Sequence, residues 1–544
     1  MNPPPKPWPP ILIIAVIAIG GGIVRGVLAS QEFLWLDELH TSWAVGDGLQ
    51  DVFNRSTHGN QSPLYFWLSW IPVAFMGEAP FTIRFVSLIA GIGTAFIGSM
   101  LVLNWTRSTL GAVVVAILIT LDLQFIYYGT EARPYSLVQL ISVVQVMLFW
   151  QWIELKSGMN ETECKPNSLS PACNPTLTAS CLVMTSALLI YTHYTSIWLI
   201  LTEVGFVGTW LILSEAFRRR IWRSSLLTAS SFTLLCLPAL LLMYSVFARR
   251  GNWAPVSSIR TVLDEFLRFS VSQTSPFLIW LVLPLIVLCI AGLSGRFLRL
   301  KSPSDLPPNA LQKLKLCFVI LWATTPVLAV ISIDFSGIAP TALTRYTLVG
   351  SAAFPIFAGL AIGVCVDRKF QMGLGIVLIS TSLIQSPITS GNYITSGFTS
   401  SELPGLRFED WETPIEFINA DQSKRDQPIF LAANLIEDVD AFTNRAPTFQ
   451  EYLLFPLKGL YSVEPKRDLI PIPTLLREHF EDQHLRRIKK AGGAWVIIRG
   501  TEGLVTEIEA EIQGKAELLD PQAKLVVKLH GSLNSYVYLL SIDW

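Results

Sequence analysis

Two adjacent carboxylates, Asp37 and Glu38, lie where the chain leaves its first long apolar run, residues 11–29. A carboxylate can take a proton from a reacting group. Acidic groups near lipid are costly, and they persist there mostly where a function or a partner requires them. An isolated acid would be explained as ordinary loop sequence at a membrane surface. The flanking Trp35 and Trp43 add polar aromatic side chains to the pair, and this combination favours a catalytic site.

Other polar side chains recur near the predicted ends of the apolar segments. Taken singly, each has a plainer explanation, such as a local Glu–Arg pair, an interfacial histidine or an arginine that snorkels toward the headgroups. Together they gather acids, cations and aromatic rings on one side of the predicted membrane, as a site at the lipid–water boundary would require. The candidates are His58, Tyr65, Glu131, Arg133, His193, Arg249, Arg250, Arg345 and Tyr346.

The composition predicts the protein class. The 544 residues are 51% hydrophobic and only 15% charged, whereas soluble domains carry about a quarter charged residues. Apolar runs of about 20 residues recur as far as residue 385, and each is long enough to cross a bilayer. We therefore expect a polytopic α-helical membrane protein in contact with membrane lipids. A net charge of −1 says little about partners. The sequence has no basic stripe of the kind that binds nucleic acid, so no nucleic-acid partner is expected.

The apolar runs predict about eleven transmembrane helices. The first is interpreted as a retained helix rather than a cleaved signal peptide, because its run is long and its flank has little positive charge. A short interfacial helix is expected within residues 49–55. The predicted spans are residues 11–29, 81–103, 111–128, 134–153, 177–192, 195–213, 225–246, 276–294, 315–334, 345–365 and 371–388.

The basic residues predict the orientation. Alternate loops differ in their content of Lys and Arg, and the richer set includes four arginines within residues 218–223. Because cytoplasmic loops carry such an excess, the N-terminus is predicted in the cytoplasm and Asp37 outside it. The same orientation places Cys164 and Cys173 in a cytoplasmic loop, where free thiols are expected.

The composition changes after Gly391, where the chain becomes charged and alternates strand and helix patterns. Strands are predicted at 427–433, 494–499, 526–529 and 535–540, and helices at 411–420 and 501–511. We expect a transmembrane domain over residues 1–390 and a small extracytoplasmic α/β domain over residues 391–544, which shows no catalytic pattern of its own.

Three sequence elements resemble a known family. They are Asp37-Glu38 after the first helix, Ser-Pro-Leu-Tyr-Phe at 62–66 and Thr-Glu-Ala-Arg-Pro-Tyr at 130–135. Residues 10–390 resemble the membrane-embedded glycosyltransferases of the GT-C superfamily, in particular the bacterial branch related to protein mannosyltransferases and the lipid A aminoarabinose transferase. The resemblance implies a polyprenyl-phosphate-linked sugar as donor, an active site facing the periplasm, and inversion at the anomeric carbon.

Within this resemblance, Asp37 matches the catalytic aspartate of the first outer loop, and Glu38 completes the acidic pair. The family's His-Pro-Pro-Leu-Tyr element corresponds to His58 and Tyr65, although residues 59–62 intervene before Pro63. Glu131, Arg133, Arg345 and Tyr346 match two further outer elements.

For a transfer of this kind, side-chain chemistry gives each candidate a hypothetical role. Asp37 would accept the proton of the acceptor hydroxyl, while Glu38 would orient it or raise its pKa. Arg133, Arg345, Arg249, Arg250 and His193 would bind the donor phosphate. Trp35, His58, Tyr65, Glu131 and Tyr346 would contact the substrate. No cofactor is expected; a divalent metal is possible because carboxylates suit hard cations, but no dense ligand set requires one.

Two other classes remain open from the sequence. A flippase or transporter of polyprenyl-linked sugars would place charges near the bilayer midplane and often shows internal repeats, whereas here the polar clusters lie at helix ends. A plain membrane anchor would not need eleven helices. The acceptor is also open, since a glycan, a lipid or a protein hydroxyl would each fit a cell-envelope enzyme of the bacterial inner membrane.

Overall fold

The computed structural model describes residues 9–59, 61–157, 174–249, 308–337, 344–365, 367–386, 409–435, 451–464, 467–474, 479–522, 525–530 and 536–544. The chain forms two compact units. The first, here called the helical unit, contains Met1–Leu28 and Val86–Ile394. The second, called the mixed unit, contains Ala29–Phe85 and Thr395–Trp544. The mixed unit therefore joins the segment that carries Asp37 to the C-terminal part of the chain.

The helices are numbered in chain order. They are α1 (Pro10–Gln31), α2 (Leu36–Val45), α3 (Leu49–His58), α4 (Leu64–Met76), α5 (Pro80–Thr106), α6 (Thr109–Leu121), α7 (Leu123–Gly129), α8 (Tyr135–Ser157), α9 (Pro175–Thr192), α10 (Ile197–Leu213), α11 (Glu215–Arg249), α12 (Pro308–Phe335), α13 (Ala353–Val364), α14 (Arg368–Gln385), α15 (Glu412–Ala420), α16 (Asp482–Ala491) and α17 (Glu502–Leu519).

The helical unit is built from membrane-length helices. Among the described residues, seven helices are long and apolar enough to span a bilayer, or eight if the bent pair α6 and α7 forms one span. The chain is therefore a polytopic α-helical membrane protein, as the apolar runs predicted. The expected helix at 276–294 lies outside the described residues, and the total of eleven stays a prediction. The large side chains Trp150, Phe318 and Trp322 pack in the core of this unit.

The span predicted at 111–128 is wrong in one respect, because it is broken at Asp122 and bends by 60°. Asp122 caps α7 by accepting the N–H of Gln124 at 2.8 Å. A break also leaves carbonyls at the end of α6 without helical partners, which is costly inside a membrane. The buried guanidinium of Arg25, on α1, donates to the carbonyls of Ile119 at 2.6 Å and Thr120 at 2.9 Å. Arg25 was not singled out from the sequence.

The span predicted at 345–365 also differs from the structure. Its first part forms two short 3-10 turns, Thr344–Tyr346 and Leu348–Gly350, before α13 begins. The indole N–H of Trp322 donates to the carbonyl of Val349 at 2.6 Å. This bond satisfies a carbonyl in irregular backbone, which is tolerated at membrane depth where the protein provides such partners.

Helices α6 and α13 cross at a pair of glycines. A Cβ on Gly111 would lie 2.5 Å from the carbonyl oxygen of Gly359, and a Cβ on Gly359 would lie 2.7 Å from the carbonyl oxygen of Gly111. The obstacles are backbone atoms, so side-chain rotation cannot relieve the clash. Small residues allow this close approach of membrane helices.

We expect Gly111→Ala to destabilise the protein by about 1–3 kcal/mol, since an added methyl group must push the two helices apart. The measurement is thermal unfolding of the purified protein in detergent. Gly205→Ala is the matched control, because a Cβ at Gly205 in α10 meets no atom of the described residues within 4 Å. Equal melting temperatures for Gly111→Ala and the wild type would contradict the assigned contact.

The sheet of the mixed unit has five strands. They are β1 (Ile429–Ala432), β2 (Leu469–Pro471), β3 (Gly493–Arg499), β4 (Val526–His530) and β5 (Val537–Asp543), in the spatial order β2-β1-β3-β5-β4. β1 runs parallel to β2 and β3, whereas β5 is antiparallel to β3 and β4. Val496 pairs with Phe430 on one side and Leu540 on the other. Helices α16 and α17 contribute Ile488 and Ile508 to the core built on these strands.

The strands β1, β3, β4 and β5 lie within or overlap the four segments predicted from the sequence. Strand β2 was not predicted, because its three residues include Pro471 and are too short for an alternating pattern. The predicted helix at 501–511 is confirmed and continues to Leu519. The boundary between residues 390 and 391 and the extracytoplasmic location of the C-terminal part stay predictions.

Candidate active site

Helix α2 positions the acidic pair. Asp37 and Glu38 occupy its first turn rather than the loop that the sequence predicted. Negative charge is favourable at this end of a helix, where backbone N–H groups lack helical partners. The two acids differ in burial, since Asp37 is partly buried and Glu38 is fully buried. Of the two residues, only Asp37 is accessible in part to solvent.

Glu38 forms a two-point ion pair with Arg84 at the start of α5. The guanidinium Nε donates to Oε1 at 2.7 Å and Nη2 donates to Oε2 at 2.5 Å, and both side chains are 0% exposed. Arg84 also donates to the carbonyls of Ala29, Glu32 and Phe33 at 2.5–2.9 Å. Arg84 thus joins the end of α1 to the start of α2. Such a fork suits a carboxylate geometrically.

Arg84 was not singled out from the sequence, although the sequence contains a signal for it. Arg84 lies in the first turns of the long apolar helix α5, and a charged side chain in such a helix requires a partner. The identity of the partner could not be read from the sequence, since Glu38 lies 46 residues earlier.

The other residues of the first predicted outer segment have mixed placements. Trp35 precedes α2 and is partly buried, whereas Tyr65 is fully buried on α4 with its ring 5.8 Å from that of Phe66 in an edge-on contact. His40 is packed edge-on against Phe66 at 5.6 Å and against Phe455 at 5.3 Å. The side chain of His58 lies outside the described residues. The substrate contacts of Trp35, His58 and Tyr65 stay predictions.

A second group of candidates comes together in the helical unit. Glu131 and Arg133 are buried in the turn between α7 and α8. This turn is fixed by its backbone: Ser87 donates its hydroxyl to the carbonyl of Arg133 at 3.2 Å, and Ser136 donates to the carbonyl of Ser87 at 2.9 Å. The turn is therefore held against α5, and its polar side chains have a defined position.

His193 links this turn to the 3-10 turn that carries Arg345. It lies between α9 and α10, and its Nδ1 accepts the N–H of Thr195 at 3.4 Å. Its ring centre is 5.8 Å from that of Tyr135 and 6.0 Å from that of Tyr346. The guanidinium carbon of Arg345 is 5.5 Å from the ring centre of Tyr346.

The charges of two of the candidate arginines act on the same buried imidazole. Burial, followed by the positive charges of Arg345 and Arg133, lowers the pKa of His193 from 6.5 to about 3. The guanidinium groups near this neutral imidazole suit an anion, because arginine presents a fork that matches phosphate oxygens. Glu131, Arg133, His193, Arg345 and Tyr346 are here called the cationic cluster.

The lowered pKa of His193 predicts a pH dependence of stability. Between pH 6.5 and about 3 the unfolded chain would bind a proton that the folded protein excludes, so this contribution is complete above pH 6.5 and is lost as the pH falls below it. We expect His193→Asn, which keeps an oxygen acceptor for the N–H of Thr195, to show a smaller fall in melting temperature between pH 8 and pH 5 than the wild type. An unchanged pH dependence would contradict the buried, neutral imidazole.

Arg250 and the side chain of Arg249 lie outside the described residues, as do Cys164 and Cys173. Across the ranges that the structure describes, no group of three or more His, Cys, Asp or Glu side chains could hold a metal ion. The expectation that no metal is required therefore stays a prediction.

Comparisons with known proteins bear on the fold. No protein-family model matches the sequence, and none of the curated proteins matches it. The fold is similar to that in the crystal structure of ArnT from Cupriavidus metallidurans bound to undecaprenyl phosphate, with a TM-score of 0.51 over 98% of each chain at 11% identity. The apo crystal structure of ArnT from the same organism aligns over 97% of each chain with a TM-score of 0.40 at 9% identity.

Proposed function

We propose that the protein is a membrane glycosyltransferase that moves a sugar from a polyprenyl-phosphate-linked donor to an acceptor hydroxyl outside the cytoplasm. The observation that carries the proposal is the similarity of fold, over 98% of each chain, to ArnT bound to undecaprenyl phosphate. The short elements around Asp37, Tyr65 and Glu131 support the same assignment through their resemblance to the GT-C superfamily. The bacterial inner membrane is the proposed location.

The cationic cluster is proposed to bind the donor phosphate. Arg133 and Arg345 come from distant parts of the chain, and both charges act on the same buried imidazole. Guanidinium groups would neutralise the charge that grows on the phosphate oxygens as the sugar leaves. His193, which stays neutral, would donate or accept a hydrogen bond without adding charge. Arg249 and Arg250 remain further candidates for the same role.

Asp37 is proposed as the general base. The acceptor hydroxyl gives its proton to the carboxylate while its oxygen attacks C1 of the sugar, the C1–O bond to phosphate breaks, and polyprenyl phosphate departs with the bonding electron pair. Attack on the face opposite the leaving group inverts the anomeric carbon. The phosphate is already a good leaving group, so activation of the neutral hydroxyl is the step that needs a base.

The ion pair with Arg84 supports a positioning role for Glu38. The two oxygens of Glu38 accept guanidinium N–H groups at 2.5–2.7 Å, and hydrogen bonds of this kind favour the charged form of a carboxylate. Taking up a proton would break the pair inside a buried environment. Of the two roles considered for Glu38, orienting Asp37 is therefore the one that the contacts support.

The orientation in the membrane is part of the proposal. The uneven distribution of Lys and Arg supports a cytoplasmic N-terminus, with Asp37 and residues 391–544 outside. Labelling of single cysteines introduced at Asp51 and Asp520 in intact cells would test this. Both positions should react with a membrane-impermeant reagent, and failure of both would reverse the assigned orientation.

The function is tested with purified protein in nanodiscs and proteoliposomes, supplied with undecaprenyl phosphate carrying a radiolabelled sugar. Transfer predicts release of undecaprenyl phosphate together with labelled acceptor when glycan, lipid or protein fractions of a cell envelope are added. Movement of intact lipid-linked sugar between leaflets, without release, would instead indicate a flippase. If the protein neither transfers the sugar nor moves the lipid-linked sugar between leaflets, the assignment of the donor class is refuted.

A further inference from the structure

A buried carboxylate from the C-terminal part of the chain binds the start of α2. Glu409 is 4% exposed. Its Oε2 accepts the backbone N–H of Leu36 at 2.7 Å and the indole N–H of Trp411 at 2.9 Å, while its Oε1 accepts Nε–H of Arg499 at 2.7 Å. Leu36 is the first residue of α2 and precedes Asp37. All these residues belong to the mixed unit.

These contacts make Glu409 a cap supplied from a distant part of the sequence. The first backbone N–H groups of a helix lack partners within it, and the residue before the helix usually supplies an oxygen from its own side chain. Here that residue is Trp35, whose indole has a donor but no acceptor. Glu409, 373 residues further along, provides the oxygen, and its negative charge suits the N-terminal end of the helix dipole.

The C-terminal part of the chain also contacts α2 and the residues just before it at three other points. The hydroxyl of Tyr461 accepts the N–H of Leu34 at 3.3 Å, just before the helix. Ser42, near the other end, accepts the N–H of Leu460 at 2.7 Å. The ring of Trp43 stacks on that of Phe455 at 6.1 Å. The whole of α2 is thus fixed against this segment, and its first turn is fixed by Glu409.

Arg499 connects this contact to the sheet. It is the last residue of β3, at the carboxyl edge of the parallel strands β1, β2 and β3. Open α/β sheets usually bind their ligands at this edge. Here Arg499 instead binds Glu409 and donates to the carbonyl of Asn434, which follows β1, at 3.3 Å. The sheet edge is therefore used to support the helix that carries the acidic pair.

We propose that Glu409 is a positioning residue for sugar transfer. Arg499 fixes the orientation of the Glu409 carboxylate, which accepts the N–H of Leu36. In this way Glu409 sets the placement of the Asp37 carboxylate relative to its substrate. The inference rests on the proposed function. It assigns the C-terminal α/β segment a defined task in catalysis, namely to fix the first turn of α2.

The test compares two glutamates with the same chemistry. Glu511 accepts the backbone N–H groups of His479 and Phe480 at 3.0–3.1 Å and pairs with Lys515 at 3.0 Å, but it lies on α17. We expect Glu409→Gln to lower kcat by about 10- to 100-fold, as misplacement of a catalytic group does, with KM for the lipid-linked donor unchanged. Glu511→Gln should leave kcat at the wild-type value.

Hydrogen exchange at the amides of residues 36–40 supplies a readout that does not depend on activity. Exchange should become faster in Glu409→Gln and stay unchanged in Glu511→Gln. Wild-type kcat in Glu409→Gln, or unchanged exchange at these amides, would overturn the inference. If the wild type itself transfers no sugar, the proposed function fails, while the exchange result still decides whether Glu409 caps α2.

A second variant tests the inference if Glu409→Gln does not fold. If Glu409→Gln does not elute as a folded protein in size-exclusion chromatography, Arg499→Lys takes its place. Lysine keeps the positive charge but lacks the guanidinium fork, so Glu409 would lose its fixed orientation. The same fall in kcat with constant KM is expected, and full activity in a folded Arg499→Lys variant would count against the inference.

Discussion

Asp37→Asn is expected to lower kcat for sugar transfer by about 10²–10⁴-fold, which is the usual contribution of a general base. Asparagine keeps the size of the side chain and its place in the first turn of α2, but it cannot take the proton of the acceptor hydroxyl. The KM for the lipid-linked donor should change little, because the phosphate is assigned to the cationic cluster. Single-turnover transfer in nanodiscs would isolate the chemical step.

Asp51→Asn is the matched control for this experiment. Asp51 also lies in the first turn of a helix, α3, belongs to the same unit and is partly buried like Asp37. Activity should persist in Asp51→Asn and be lost in Asp37→Asn. Near-normal transfer by a folded Asp37→Asn protein would remove Asp37 from the role of base and would require another acceptor for the proton.

Arg84→Met is expected to destabilise the protein by about 3–5 kcal/mol, since it leaves the charge of Glu38 buried without its partner. Methionine retains much of the apolar volume of the arginine stem, so the loss of charge dominates the effect. Glu38→Gln should be destabilising for the same reason. Thermal unfolding in detergent, monitored by tryptophan fluorescence, would measure both variants.

The double variant Arg84→Met/Glu38→Leu distinguishes ion pairing from packing. Replacing both members of a buried pair removes the unpaired charge, so the double variant should be more stable than either single variant. Asp47→Asn provides the exposed comparison, because Asp47 pairs with Arg55 while 61% of its side chain is exposed. Such surface pairs contribute about 0–1 kcal/mol. Strictly additive losses in the double variant would contradict the assigned coupling.

Local patterns in the sequence were sufficient where the physical cause is local. Membrane-length apolar runs predicted helices such as α5 and α8, because a backbone in lipid must satisfy its hydrogen bonds within the segment. The apolar run around Trp495 predicted β3 for a similar reason, since a buried strand is continuously apolar. The acidic pair was found from its position just after an apolar helix. These conclusions required no knowledge of partners elsewhere in the chain.

The tertiary structure decided what depends on partners distant in sequence. It shows the segment at Asp37 as a helix rather than a loop, and Glu409 supplies the acceptor for its first N–H that the side chain of Trp35 cannot provide. It paired Glu38 with Arg84, a partner 46 residues away that no local pattern indicates. It also broke the predicted span at Asp122, where Arg25 satisfies the freed carbonyls.

The sequence by itself therefore determined the class of protein, most of its helices and strands, and the position of the acidic pair after the first helix. The structure alone decided that Glu38 is held in an ion pair with Arg84, that the charges of Arg133 and Arg345 act on His193, and that the C-terminal segment belongs to the unit carrying α2. The reason is physical: periodicity and hydropathy reflect the surroundings of a residue's own segment, whereas a buried charge or an uncapped helix end is satisfied by whichever partner the folded chain brings to it.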